Sequence, residues 1–68
     1  MQQKILSKRE HQIFLLLIEN KSTYDIAIKL NISEKTVRNH ISNVIGKLGV
    51  SNRTQAIITL IKNGIIKV

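Results

Sequence analysis

The chain has 68 residues and is strongly basic, with eleven Lys and Arg against four Asp and Glu, a net charge of +7 and a pI near 10.3. This length allows one small domain, and the absence of cysteine excludes disulfides and thiolate metal sites. The two histidines are far apart in the sequence, so we expect no metal or cofactor site, and no apolar run approaches the ~20 residues of a membrane span. The excess of positive charge favours a polyanionic partner over a role in solubility alone.

The first predicted helix begins at a capping box, in which Ser7 is followed three residues later by Glu10. We expect it to cover about residues 8–20, because Asn20 can adopt the left-handed conformation that ends a helix. Residues 1–5 are expected to be a flexible lead-in. Apolar residues at helical spacing form its predicted inward face: Ile13, Phe14, Leu16 and Leu17.

The second and third helices are predicted over about residues 23–30 and 34–48, each beginning after a serine that can cap the first turn. Gly49 ends the third helix. Only about three residues around Asn31 separate the two helices, and so short a connection predicts the steep crossing of a helix-turn-helix. The alternative is an ordinary helical hairpin, which any small bundle contains.

The fourth helix is predicted over about residues 53–63. Asn52, followed three residues later by Gln55, indicates its start, and Gly64 lies just beyond its end. Because each helix has its own boundary signals, the sequence predicts an all-α, four-helix domain that comprises residues 1–68.

The third helix carries two faces of different chemistry at about 100° per residue. Val37, Ile41, Val44 and Leu48 fall within one narrow apolar arc. A second arc, centred roughly 130° away, holds the candidate base-contacting residues Lys35, Arg38, Asn39 and Ser42. Glu34, the one acid in this helix, lies in the first turn, where the helix dipole favours it. Arginine can pair with guanine and asparagine with adenine, so this arc is predicted to face base edges in the DNA major groove.

Contacts with phosphates are expected to supply most of the affinity for DNA. The starts of the second and third helices expose backbone amides that suit a phosphate. For Tyr24, the one tyrosine, a position in the core or at its rim is the alternative. The candidate phosphate-contacting residues are Ser22, Thr23, Tyr24, Ser33, Thr36, Lys47 and Arg53.

The stretch IAIKLNISEKTVRNHISNVIGKLGVSNRTQA, residues 26–56, resembles the helix-turn-helix signature of LuxR-type (GerE- and FixJ-type) bacterial transcription regulators. The upstream LSKREHQIFLLL is similar to the first helix of the same family. The resemblance implies a four-helix DNA-binding domain whose third helix reads the major groove. It also implies base contacts for Arg38, Asn39 and Ser42, a phosphate contact for Thr36, and a contact at Lys35 in some members.

The same resemblance implies dimerisation through the fourth helix on two DNA half-sites. Thr54, Ile58 and Ile61 lie on a second side of that helix and are the predicted dimer interface. The alternative is that both sides of the helix are covered within one small domain. A seam of one helix from each protomer buries little area, so we expect the homodimer to be weak without DNA.

The short segment before the first helix leads us to expect the stand-alone, GerE-like kind of regulator. The alternative is the excised DNA-binding domain of a larger two-component response regulator.

Other functions fit the sequence less well. Four acids and two separated histidines do not assemble an enzyme's catalytic pocket. A cationic module for a membrane surface or an acidic protein rarely needs a tight bend and four caps, and an RNA binder usually has more stacking aromatics than Phe14 and Tyr24. The sequence therefore predicts a cytoplasmic, sequence-specific transcription regulator that binds double-stranded DNA, with RNA polymerase as a further candidate partner.

Overall fold

Four α-helices organise residues 5–67, which are the residues that the computed structural model describes: α1 (Lys8–Ile18), α2 (Thr23–Leu30), α3 (Glu34–Leu48) and α4 (Arg53–Lys62). The predicted all-α, four-helix architecture is confirmed. The first helix ends slightly earlier than predicted, and Asn20 follows it with a φ of 67°. Residues 1–4 of the expected lead-in lie outside the described residues.

Side-chain caps begin all four helices, as their sequence signals predicted. Ser7 Oγ accepts the Glu10 N–H at 3.2 Å, while Glu10 Oε1 accepts the Ser7 N–H at 2.8 Å. Ser22 and Asp25 form the same reciprocal capping box at α2. Single caps begin the other two helices: Ser33 on the N–H of Thr36, and Asn52 on the N–H of Gln55.

The turn between α2 and α3 depends on Asn31. This residue adopts the left-handed conformation, with φ 58° and ψ 47°, directly after the last residue of α2. The next N–H, that of Ile32, donates to the Ala27 carbonyl at 3.0 Å and closes the turn. Because Ala27 is buried and small, the two helix backbones can approach each other closely. The predicted helix-turn-helix is therefore present.

Helix α3 lies at the centre of the domain and packs against α1, α2 and α4. The inward residues predicted for α1 and α3 are buried, apart from Leu48, which is partly buried against the core. Ile66, whose burial was not predicted, folds back after Gly64, and its N–H donates to the Leu60 carbonyl at 3.2 Å. The buried apolar residues are Leu6, Ile13, Phe14, Leu16, Leu17, Ile26, Ala27, Val37, Ile41, Val44, Ala56, Leu60 and Ile66.

Candidate nucleic-acid interface

The outward side of α3 presents a stripe of four exposed polar side chains. The core side of the same helix is fixed by Val37, Ile41 and Val44, all of which are buried. A helix anchored in this way holds its polar side in one orientation relative to the domain. We call these four exposed residues the α3 stripe: Lys35, Arg38, Asn39 and Ser42.

Arg38 in the α3 stripe has an acidic neighbour. Its Nη1 atom lies 3.9 Å from Glu34 Oε1, one helical turn back along α3. The same Glu34 oxygen accepts a hydrogen bond from Thr23 Oγ1, at 3.2 Å. Glu34 thus joins the first turn of α2 to the first turn of α3 at the edge of the stripe. From the sequence, Glu34 was expected only to interact favourably with the helix dipole at the start of α3.

The starts of α2 and α3 lie close together beside the α3 stripe, where Thr23 contacts Glu34. The first amides of a helix have no intrahelical acceptors, so both starts offer N–H groups to an anion. Tyr24 is 60% exposed, so the alternative that this residue lies in the core is excluded. At α3, Ser33 and Thr36 are linked to each other through their hydroxyl oxygens, 2.9 Å apart. Ser22 is exposed and caps α2.

A groove between α3 and the start of α4 adjoins the stripe. Arg38 and Ser42 line it from α3, while Arg53 and the capping residue Asn52 line it at the start of α4. Its apolar lining comes from Ile41 and Ile45. The fold therefore brings Arg53, predicted from sequence to contact a phosphate, next to two residues that were predicted to contact bases.

Lys47 is placed differently from the other candidate residues. Its Nζ atom lies 2.6 Å from Glu10 Oε1 and donates to the Ile5 carbonyl at 3.2 Å. Only 4% of Glu10 is exposed. Burial raises the pKa of Glu10, but hydrogen bonds from Lys47 and from the Ser7 backbone outweigh this effect and leave its pKa below the ordinary value. Lys47 therefore ties the end of α3 to the start of α1.

A phosphate contact by Lys47 stays a prediction. An ammonium group has three N–H donors, and two of them are directed at Glu10 and Ile5. The side chain is 42% exposed, so the third N–H can donate to a phosphate oxygen. The sequence did not predict the ion pair, because Glu10 was explained by the capping box and Lys47 by a phosphate contact.

The second side of α4 is exposed. Ile58 is 57% exposed, and Thr54 and Ile61 are exposed beside it. Ala56 and Leu60, on the other side of the helix, are buried in the core. The pairing of this surface with a second protomer stays a prediction.

Within residues 5–67 there is no cluster of three or more His, Asp or Glu side chains that could hold a metal ion. None of the helices described there has the length and apolar character needed to cross a membrane.

A helix-turn-helix that offers polar side chains along its second helix, beside two exposed helix starts, is an arrangement typical of DNA-binding domains. The sequence profile described as "Bacterial regulatory proteins, luxR family" matches residues 4–60. The chain belongs to this family, and the resemblance drawn from its motifs is confirmed.

Individual relatives agree with the family match. The chain is 55% identical over 60 residues to the spore germination protein GerE of Bacillus subtilis (strain 168), covering 88% of this chain and 81% of that protein. It is 47% identical over 64 residues to the transcriptional regulatory protein DegU of Brevibacillus brevis, covering 94% of this chain but 27% of that protein.

Solved structures show the same fold. The structure of the transcription factor GerE superimposes with a TM-score of 0.92 at 57% identity, covering 96% of this chain and 97% of that one. The response regulator ChrA, of a heme-sensing two-component system, gives a TM-score of 0.85 at 39% identity, covering 97% of this chain and 33% of that one. The chain is thus a DNA-binding domain of the transcription-regulator class, as the sequence predicted.

Proposed function

We propose that the chain recognises double-stranded DNA sequence-specifically, with the first half of α3 in the major groove. The observation that carries this proposal is the α3 stripe, in which four hydrogen-bonding side chains share the exposed side of a helix whose other side is buried. Arg38 can donate two hydrogen bonds to guanine O6 and N7, and Asn39 can pair with adenine N6 and N7. Lys35 and Ser42 extend the readable surface to neighbouring base pairs.

Phosphate contacts complete the proposed interface. The starts of α2 and α3 are joined through Thr23 and Glu34, so their outward amides can contact one DNA strand on the same side of the stripe. Arg53 lies across the groove from Arg38 and can contact the phosphates beyond it. Because the net charge is +7, binding is expected to weaken steeply with salt. The proposed phosphate contacts are Ser22, Thr23, Tyr24, Ser33, Thr36 and Arg53, with the third Lys47 N–H as an addition.

Dimerisation through α4 is the second part of the proposal. The domain measures 32 × 25 × 22 Å, so in a twofold dimer joined at α4 each α3 stripe can lie up to about one domain width from the axis. One turn of DNA is about 34 Å, which allows two α3 stripes to face successive major grooves on half-sites about one turn apart. The apolar surface at Ile58 and Ile61 is small, and each protomer repels its partner through its positive charge. We therefore expect a homodimer that forms fully on DNA.

The regulator proposed here acts in the cytoplasm, uses no cofactor and has no catalytic role. Regulation of transcription makes RNA polymerase a candidate second partner.

Selection from random duplexes tests the proposal. Protein-bound duplexes are amplified over several rounds, and the enriched motif is then measured by fluorescence anisotropy against a scrambled duplex and an RNA of equal length. We expect a motif of two related half-sites about 10 base pairs apart, bound at least 10³-fold more tightly than the scrambled duplex. Equal binding to all three probes, removed by excess nonspecific DNA, would overturn it.

A further inference from the structure

Glu34 is the acidic group closest to the proposed DNA-reading surface, and the proposed base contacts do not use it. Its side chain belongs to the first turn of α3 and is partly exposed. One oxygen, Oε1, accepts from Thr23 Oγ1 at 3.2 Å and lies 3.9 Å from Arg38 Nη1. The carboxylate is therefore held from α2 while it attracts a guanidinium on α3.

We propose that Glu34 is a positioning residue that sets the base selectivity of Arg38. This inference rests on the proposed major-groove reading by α3. A guanidinium has five N–H donors on a flexible stem and can bind a phosphate as readily as a guanine. A negative charge on one side of that group attracts it and leaves its other edge free for the two acceptors of a guanine.

The pair contributes little to stability. Both side chains are more than one third exposed, and an exposed pair at this distance is screened by water and salt. A carboxylate beside phosphates also opposes DNA binding in general. Selectivity gives this carboxylate a role in addition to its favourable place in the helix dipole, since discrimination is a difference between the affinities for right and wrong sequences.

On a wrong sequence, Arg38 stays with Glu34 and gains no substitute contact. On the right sequence, Arg38 keeps its attraction to Glu34 and gains two hydrogen bonds to guanine. Without the Glu34 charge, Arg38 is released to nearby phosphates, which are present on every duplex. Removal of this charge is thus expected to strengthen nonspecific binding more than specific binding.

Glu34→Gln is the variant of choice, because a glutamine oxygen can still accept from Thr23 while the negative charge is lost. Glu19→Gln is the matched control: it changes the net charge by the same amount at an exposed position at the end of α1. Affinities are measured at fixed salt for the selected site, for each single-base-pair change in that site, and for a scrambled duplex. Thermal melting by circular dichroism checks that both variants are folded.

We expect Glu34→Gln to lower the ratio of specific to nonspecific affinity by about 5- to 10-fold, which is at the low end of the loss for one misread base pair. The lost discrimination should fall at the base pair that Arg38→Ala also relaxes. Glu19→Gln should raise both affinities equally. In an Arg38→Ala background, Glu34→Gln should leave the ratio unchanged.

Two results would overturn the inference. One is an equal gain of affinity on all duplexes for Glu34→Gln, and the other is the same fall in the ratio with and without Arg38. Failure of the major-groove proposal is separate, because it would already appear as the absence of any specific ratio in the unsubstituted protein.

Discussion

Glu10→Gln tests whether the buried ion pair with Lys47 holds α3 in place. Glu10 is the one buried charged residue within residues 5–67, and its partner's Nζ lies 2.6 Å away. A hydrogen bond to a charged group contributes about 1.5–3 kcal/mol. The capping bond from the Ser7 N–H can persist with glutamine, so the loss is expected to be about 2 kcal/mol.

Thermal and urea unfolding measure this loss. For a domain of this size, about 2 kcal/mol corresponds to a fall in Tm of about 8–16 °C. Asp25→Asn is the matched control, since Asp25 holds the same place in the second capping box but is exposed. It should cost less than about 1 kcal/mol. Equal, small losses for the two variants would refute the assigned role of the ion pair.

Lys47→Met should cost more than Glu10→Gln, because it leaves a buried carboxylate without its cation. The double variant Glu10→Gln/Lys47→Met should lose less stability than the sum of the single variants. Additive losses would show that the two side chains act independently.

Lowering the pH should remove the difference in Tm between Glu10→Gln and the unsubstituted protein. The folded-state pKa of Glu10 lies below its ordinary value, which is about 4.3 in an unfolded chain. Its ion pair therefore stabilises fully above that pH, and the contribution is lost as the pH falls through the folded-state pKa. The Tm difference should be constant from about pH 6 to pH 5 and should shrink toward pH 3. A difference unchanged at pH 3 would contradict the argument.

Four substitutions address DNA binding, and a fifth serves as a control. Arg38→Ala should relax the preference at one base pair at a cost of about 1–3 kcal/mol, as measured on single-base-pair variants of the selected site; equal loss on all sequences would make it a phosphate contact. Arg53→Ala should weaken binding to all duplexes and lower the slope of log affinity against log salt concentration by about one. Lys47→Met should lower this slope by less, because Glu10 already pairs with the Lys47 charge. A larger change in slope for Lys47→Met than for Arg53→Ala would contradict this expectation. Ile58→Glu should weaken cooperative binding in gel shifts while the monomer stays folded. The control Ile28→Glu, at an α2 residue that is 62% exposed, should leave cooperative binding unchanged. Unchanged affinity and stoichiometry for Ile58→Glu would place the dimer interface elsewhere.

The features that follow from short-range sequence signals were predictable. Caps, left-handed residues and the two faces of α3 each depend on residues within a turn or two of one another. Asn31 is an example, since its identity, its place after α2 and its φ of 58° agree. The confirmed helix-turn-helix depends on signals of this kind.

Contacts between distant parts of the chain were not predictable in the same way. Glu10 and Lys47 are 37 residues apart, and each had a satisfactory local explanation. Thr23 and Glu34 meet only because the turn at Asn31 brings two helix starts together. Ile66 lies after the last helix, where no periodic pattern remains to indicate burial.

Methylation interference tests most directly the central claim that the α3 stripe reads the major groove. Dimethyl sulfate methylates guanine N7 in the major groove and adenine N3 in the minor groove, so bound and free fractions of a methylated site report which groove is read. If the α3 stripe reads the major groove, methylation at N7 of one guanine in each half-site should block binding, and Arg38→Ala should remove that interference. Binding that tolerates every N7 methyl group, but is blocked by methylation at adenine N3, would contradict the account.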